Sequence, residues 1–191
     1  MYKRQVIDEA LKGGVGMVQL REKDLPARDL LSLALEIKAL IIKYGAKLLI
    51  NDRIDVALSG DADGVHLPTS SFSVEDARSM LGEDKIVGFS AHSLDEAKEA
   101  ERAGADFVTF SPVFFTPSKV AYGEPQGLAK LEEAAGALNI PVYGLGGIKA
   151  QNIQEVIRSG AHGAALISAV MSAEDIRGES ERLISLASQT T

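Results

Sequence analysis

Gly104-Ala105-Asp106-Phe107-Val108-Thr109-Phe110 decides the fold. A helix-like segment ends on a glycine, the residue that most readily adopts the left-handed backbone closing a helix, and a continuous β-rich run follows. Runs without polar alternation belong to strands covered on both faces. The same unit recurs as Gly13-Gly14-Val15-Gly16 before Met17-Val18-Gln19-Leu20, and as Gly45-Ala46-Lys47 before Leu48-Leu49-Ile50. Asp61-Ala62-Asp63-Gly64-Val65 and Gly160-Ala161-His162-Gly163-Ala164 are further copies. The repeated element is helix, tight turn, parallel strand.

Worked outward, this pattern predicts strands over 17–21, 47–51, 64–68, 86–90, 107–111, 141–145 and 163–168. It predicts helices over 5–12, 27–44, 53–59, 73–81, 94–103, 127–138, 152–159 and 173–188. Ser93-Leu94-Asp95-Glu96 is a capping box, and the segments starting at Ser73 and Ser172 resemble one. Strand and helix alternate without a linker, which favours a parallel α/β architecture. The expected fold is a (β/α)8 TIM barrel lacking its first strand, in one domain over residues 1–191 that is N-terminally incomplete, because residues 1–5 are too few and too polar to supply that strand. A shorter open sheet is the alternative. The barrel is preferred because functional-looking residues follow nearly every strand, whereas an open sheet gathers them at one switch point. Open edges on the first and last strands are then expected.

Composition narrows the function classes. Hydrophobic residues make up 46% of the 191, enough for one well-buried core. With 20 basic against 27 acidic residues and a net charge of −7, the chain has no general field for nucleic acid or an anionic membrane surface. Any phosphate must be held by a local site. The absence of cysteine excludes disulfides, thiolate metal sites and cysteine nucleophiles. Neither a membrane span nor a signal-peptide core is visible, so a cytoplasmic location is expected.

Chemistry-bearing residues sit at predicted strand C-termini, where α/β folds bind ligands. The loop from Phe110 to Lys119 offers Ser111, Thr116, Ser118 and the Lys119 ammonium as a grip for a phosphorylated small molecule. Gln19, Arg21 and Lys23 alternate at the end of the first visible strand, which puts an amide and two cations on one face, suited to a diphosphate. Asn51-Asp52 offers an amide and a carboxylate, fit for a substrate amine or a magnesium ion; Asp52 as a helix N-cap is the plainer reading. Gly144-Leu145-Gly146-Gly147-Ile148 and the following Ile167-Ser168 could present bare backbone to an anion. His66, His92 and His162 show no metal-ligand spacing, and His66 reads best as a satisfied interior histidine.

These segments, with Gly88-Phe89-Ser90, occur in an order that resembles thiamin phosphate synthases and their thiazole tautomerase relatives over nearly the whole chain. The resemblance implies a (β/α)8 barrel acting in thiamin biosynthesis, with phosphorylated pyrimidine and thiazole substrates, no nucleic acid and no membrane partner; homo-oligomerisation is left open. In the synthases a pyrimidine diphosphate loses pyrophosphate with magnesium assistance, and the thiazole phosphate nitrogen captures the resulting cation. Carried over by position, Gln19, Arg21, Lys23, Asn51, Ser90 and Lys119 are implied for the pyrimidine diphosphate, with Lys119 and Ser90 as the catalytic pair. Thr116 and Ser118 match the family's hydroxyl pair, Gly147, Ile167 and Ser168 are implied for the thiazole phosphate, and Asp52 for Mg2+.

Two departures stand out. After His-Leu the synthases usually continue Gly-Gln-Glu-Asp, whose aspartate is a second magnesium ligand, whereas this chain has Pro68-Thr69-Ser70-Ser71. That stretch looks more like the tautomerase branch. The branch's acid/base histidine, however, would fall at Pro112, which cannot transfer a proton. A synthase-like transferase is expected; a tautomerase using His66, or a non-catalytic binder of thiamin precursors, are the alternatives.

Overall fold

In two of its copies, those carrying Asp63 and Asp106, the repeated helix-turn-strand unit does more than end a helix. In the computed structural model, which describes residues 2–116 and 124–189, its aspartates tie neighbouring strands together at their N-terminal ends. Asp63 accepts the Leu48 N–H at 2.8 Å while its own N–H donates to the Leu48 carbonyl at 2.9 Å. Asp106 treats Val87 the same way, at 2.7 Å and 2.8 Å. Lys38 braces Asp63 at 2.9 Å and Arg78 braces Asp106 at 2.7 Å.

Among the described residues there are seven parallel strands: β1 Met17–Leu20, β2 Lys47–Asn51, β3 Gly64–Leu67, β4 Ile86–Ala91, β5 Phe107–Phe110, β6 Val142–Leu145 and β7 Gly163–Ala165. Each pairs with the next in chain order, so every crossover is a single helix step. The helices are α1 Tyr2–Lys12, α2 Ala27–Ile41, α3 Ile54–Ser59, α4 Val74–Leu81, α5 Leu94–Arg102, α6 Gly127–Ala137, α7 Ile153–Arg158, α8 Ser168–Met171 and α9 Ile176–Ser188. Leu48, Ile50, Val65, Leu67 and Val87 on one sheet face are buried in the same core as Leu30, Ala34, Ile37 and Ala77 of the helices. The other face, bearing Gln19, Asn51, His66, Ser90 and Thr109 by alternation, lines the interior.

The sheet curls without closing. β1 and β7 are its two edges among the described residues, and Met17 is 37% exposed whereas β3 and β5 are buried throughout. The helical layer does meet itself, because a Cβ on Gly13 at the end of α1 would lie 2.6 Å from Ser180 Cβ in α9. This is a TIM-like α/β fold short of one strand.

Several boundaries shift from those read in the sequence. β7 stops at Ala165 and Ser168 opens the short helix α8, so the predicted strand 163–168 is cut in half. An edge strand with one partner has fewer ladder bonds to extend it. Helix α9 starts later than expected because Asp175, not Ser172, is its N-cap and accepts the Gly178 N–H at 2.9 Å. The caps expected at Ser73 and Ser93 are formed, accepting from Asp76 N at 3.0 Å and Glu96 N at 3.2 Å.

Asp63 gives a stability prediction. Burial works to raise its carboxyl, but the Leu48 N–H and the Lys38 ammonium outweigh burial and hold it below the ordinary value of 3.8. A carboxyl with a lowered folded pKa contributes stability that is complete above its unfolded value and disappears as pH falls through the folded one. Asp63→Ala is therefore expected to cost about 1–3 kcal/mol near neutral pH by orphaning the Leu48 N–H. Urea melts should show the wild-type advantage shrinking below pH 4 or so; an advantage independent of pH down to acid unfolding would contradict this.

Candidate active site

The polar interior begins with glycine. A Cβ on Gly88 would lie 2.2 Å from Phe107 Cζ and 2.9 Å from His66 Cδ2, so β4 must be bare there for the rings to fit. His66 and Phe107 stack with centroids 5.7 Å apart, Tyr143 meets Phe107 edge-on at 5.5 Å, and His162 meets Tyr143 at 5.6 Å. This aromatic plug is buried at His66 and Phe107, half-buried at Tyr143 and exposed at His162, and burial pushes the Tyr143 phenol above its ordinary value.

From the plug a hydroxyl chain runs toward the strand C-termini. His66, 3% exposed, lies with Nε2 3.1 Å from Thr109 Oγ1, which donates to Ser90 Oγ at 3.5 Å. His66 is an interior, partnered histidine, as its sequence context suggested. Ser90 is half-buried at the mouth end of β4, and Asn51 ends β2 opposite His66 in register. Gln19 is exposed on β1. The strand stops at Leu20, so Arg21 and Lys23 do not continue its alternation on one face; they stand exposed in the loop beyond it.

Asp52 is not a helix N-cap. Arg53 occupies that position without a side-chain cap, its guanidinium turned to Asp55 at 2.6 Å and 2.8 Å. Asp52 instead adopts a left-handed backbone, φ 68°, a conformation Asp and Asn tolerate better than most residues. Its N–H donates to the His66 carbonyl at 3.0 Å, and its carboxylate accepts a hydrogen bond from the Ser71 hydroxyl.

The loop after β5 is docked by its backbone. Val113 N–H donates to the Leu145 carbonyl at 2.9 Å and Phe114 N–H to the Gly146 carbonyl at 3.0 Å, which joins this loop to the glycine loop after β6. The approach is close: a Cβ on Gly147 would lie 2.7 Å from the Phe115 carbonyl oxygen, and one on Gly146 would lie 2.9 Å from Pro112 Cα. His92 Nδ1 donates to the Ser111 carbonyl at 2.7 Å, and its backbone N–H donates to the Glu96 carboxylate at 2.6 Å. Gln126 and Gly127 donate to the carbonyls of Pro112 and Val113 at 2.7 Å and 3.1 Å. Thr116 is half-buried at the end of this described stretch, while Ser118 and Lys119 lie outside the described residues.

Ile167 and Ser168 follow β7, which pairs with the strand preceding Gly147 through Leu145 and Ala165. Ile167 is 63% exposed and Ser168 is exposed too. Sequence reasoning missed Thr109, His92 and Ser71 as partners of the site. Period-two alternation through Phe107, Thr109 and Ser111 carried the signal for Thr109; nothing local marked Ser71 as a contact of Asp52.

The comparisons with known proteins agree with this geometry. The family model described as thiamine monophosphate synthase matches residues 2–170. A thiamine-phosphate synthase of Clostridium novyi is 44% identical over 182 residues, covering 95% of this chain and 89% of that protein. One from Halalkalibacterium halodurans is 42% identical over 176 residues, with 92% and 83% covered. The structure titled thiamine phosphate pyrophosphorylase from Pyrococcus furiosus superimposes with a TM-score of 0.93 at 37% identity, covering 98% of this chain and 90% of that one. The chain thus belongs to the thiamine monophosphate synthase family.

Proposed function

We propose that this chain joins a hydroxymethylpyrimidine diphosphate to a thiazole phosphate, releasing pyrophosphate and forming thiamin phosphate. Family membership across residues 2–170 carries the reading, together with polar groups on the interior face at the strand C-terminal ends, Asn51 and Ser90 among them. An eightfold (β/α) barrel is the architecture this reading assigns, and the seven parallel strands among the described residues, each paired with the next, support it.

Breaking the pyrimidine C–O bond separates charge, so catalysis requires donors and cations aimed at the departing diphosphate. Arg21 and Lys23 supply cations beyond β1, the first able to grip phosphate with a planar fork. Lys119, outside the described residues, adds a third. Ser90 donates its hydroxyl to the departing oxygens, held in orientation by Thr109, while Gln19 and Asn51 position the pyrimidine diphosphate. Thr116 and Ser118 add hydroxyl donors from the loop after β5. Gly147, Ile167 and Ser168 hold the thiazole phosphate so that its nitrogen faces the pyrimidine methylene, turning capture into an intramolecular step. The cytoplasm is the matching location, because both substrates are small phosphorylated metabolites.

Magnesium fits the donors present. Asp52 and Ser71 present hard oxygen atoms on adjacent loops, and magnesium commonly takes one or two carboxylates with the rest from substrate phosphates and water. When bound, the ion would neutralise charge on the leaving diphosphate.

The tautomerase alternative loses its acid/base candidate, since His66 is buried against Phe107 and Thr109 rather than presented at the mouth. Purified protein given both substrates and Mg2+ should form thiamin phosphate. Thiazole proton exchange in deuterated water without thiamin phosphate formation would contradict the proposal.

A further inference from the structure

We propose that His92 is a positioning residue for the reaction: its imidazole couples β4, which carries Ser90, to the loop after β5, which carries Thr116, and so sets the span between the hydroxyls offered to the diphosphate. The proposal rests on Ser90 and Thr116 acting on that diphosphate, as read above.

His92 follows the last residue of β4 and precedes Ser93, the N-cap of α5, so the chain turns at this point from strand to helix. The turn is locked. The His92 N–H donates to the Glu96 carboxylate at 2.6 Å while the Glu96 N–H donates to Ser93 Oγ at 3.2 Å, which fixes the backbone from which the imidazole projects. The β4–β5 ladder ends on Ala91 and Phe110. Just past it, the Ser111 N–H donates to the Ala91 carbonyl at 3.1 Å and His92 Nδ1 donates to the Ser111 carbonyl at 2.7 Å. The imidazole thus supplies from a side chain the donor that a longer β4 would supply from its backbone. Ser111 is fully buried, so its carbonyl needs a partner there.

Beyond Ser111 the loop is held from two other sides. Val113 and Phe114 donate to the carbonyls of Leu145 and Gly146, and Gln126 and Gly127 donate to those of Pro112 and Val113. Those bonds tie the loop to β6 and α6, whereas the bond from His92 ties it to the strand of Ser90, two residues back. A loop that drifts from β4 opens the span between Ser90 and Thr116, and a misplacement of about 1 Å can cost about a hundredfold in rate. With Nδ1 directed at the Ser111 carbonyl, His92 acts through the loop rather than at the reacting atoms.

The test compares His92→Asn with His92→Leu in steady-state thiamin phosphate formation by the full chain with Mg2+. The two replacement side chains share a branched shape, but the asparagine amide offers an N–H near the place of Nδ1 and leucine offers none. His92→Leu is expected to lower kcat about thirtyfold with KM for the pyrimidine diphosphate changed less than about threefold, and His92→Asn to keep kcat within about threefold of wild type. Circular dichroism melts verify folding, and assays well below each midpoint separate turnover from loss of folded protein. His92→Gln carries the donor one bond farther and should lose about tenfold in kcat, so it replaces His92→Leu if that variant does not fold. Equal kcat in His92→Asn and the variant compared with it, or a loss confined to KM, means that the bond to Ser111 serves stability alone and overturns the proposal. Wild-type protein that forms no thiamin phosphate overturns the synthase reading as well; wild-type turnover with no difference among the variants overturns the role of His92 alone.

Discussion

Asp52→Asn is expected to lower the rate of thiamin phosphate formation by about two to three orders of magnitude while leaving the fold intact. The substitution keeps the shape of the side chain and removes its charge. Asparagine is also among the few residues that accept the left-handed backbone at φ 68°, so little strain is added. It can still accept from Ser71 through its amide oxygen, which preserves the contact between the two loops. What disappears is the carboxylate proposed to anchor magnesium near the leaving diphosphate. Initial rates across a Mg2+ titration should show lower turnover and a higher half-saturating concentration, with an unchanged urea midpoint. Turnover within twofold of wild type would remove Asp52 from the metal site.

Gly147→Val should be the most damaging single change at the mouth, costing about 3–5 kcal/mol of stability. Two effects add. The residue sits at φ 65°, where a β-branched side chain is strained, and its Cβ would press to 2.7 Å from the Phe115 carbonyl and 2.8 Å from Phe114 Cβ. The first is backbone and the second is fixed directly to it, so relief means prising the loop after β5 off the glycine loop. Gly45 provides the control: it has the same φ of 65° but open space where a Cβ would go. Gly45→Ala should lose only about 1 kcal/mol, the cost of the left-handed conformation. Equal losses at the two sites in urea melts would show that the loop contact contributes nothing.

Much of the architecture was legible because it rests on local rules repeated along the chain. Helix closure at glycine and unbroken apolar runs gave each strand to within a residue or two where it has neighbours on both sides, as with β3 and β5. The reading failed at the edges. β7 ends at Ala165, three residues short, because an edge strand is lengthened by pairing with one neighbour only, whereas β1 ends at Leu20, one residue short. Arg21 and Lys23 therefore left the strand face assigned to them by alternation.

The candidate site was legible as a set of strand-end positions but not as a set of contacts. Asn51, Asp52, Ser90 and Gly147 could be picked out individually, since position after a strand is a local property. That Ser71 bonds Asp52, or that Gly146 and Gly147 make room for residues 112–115, depends on register and loop packing between segments 19 to more than 30 residues apart. The turn units carrying Asp63 and Asp106 held a second message that the sequence reading overlooked. Their aspartates satisfy backbone groups at the start of the preceding strand, at the end of the sheet away from the chemistry.

The most direct test of the central claim is a rapid-quench single turnover with enzyme in excess over the pyrimidine diphosphate, counting pyrophosphate and thiamin phosphate together. With thiazole phosphate and Mg2+ present, the two products should appear in equal amounts and at the same rate, and chelation of the metal should suppress both. Pyrophosphate release without matching thiamin phosphate, or no consumption of the diphosphate, would contradict a synthase.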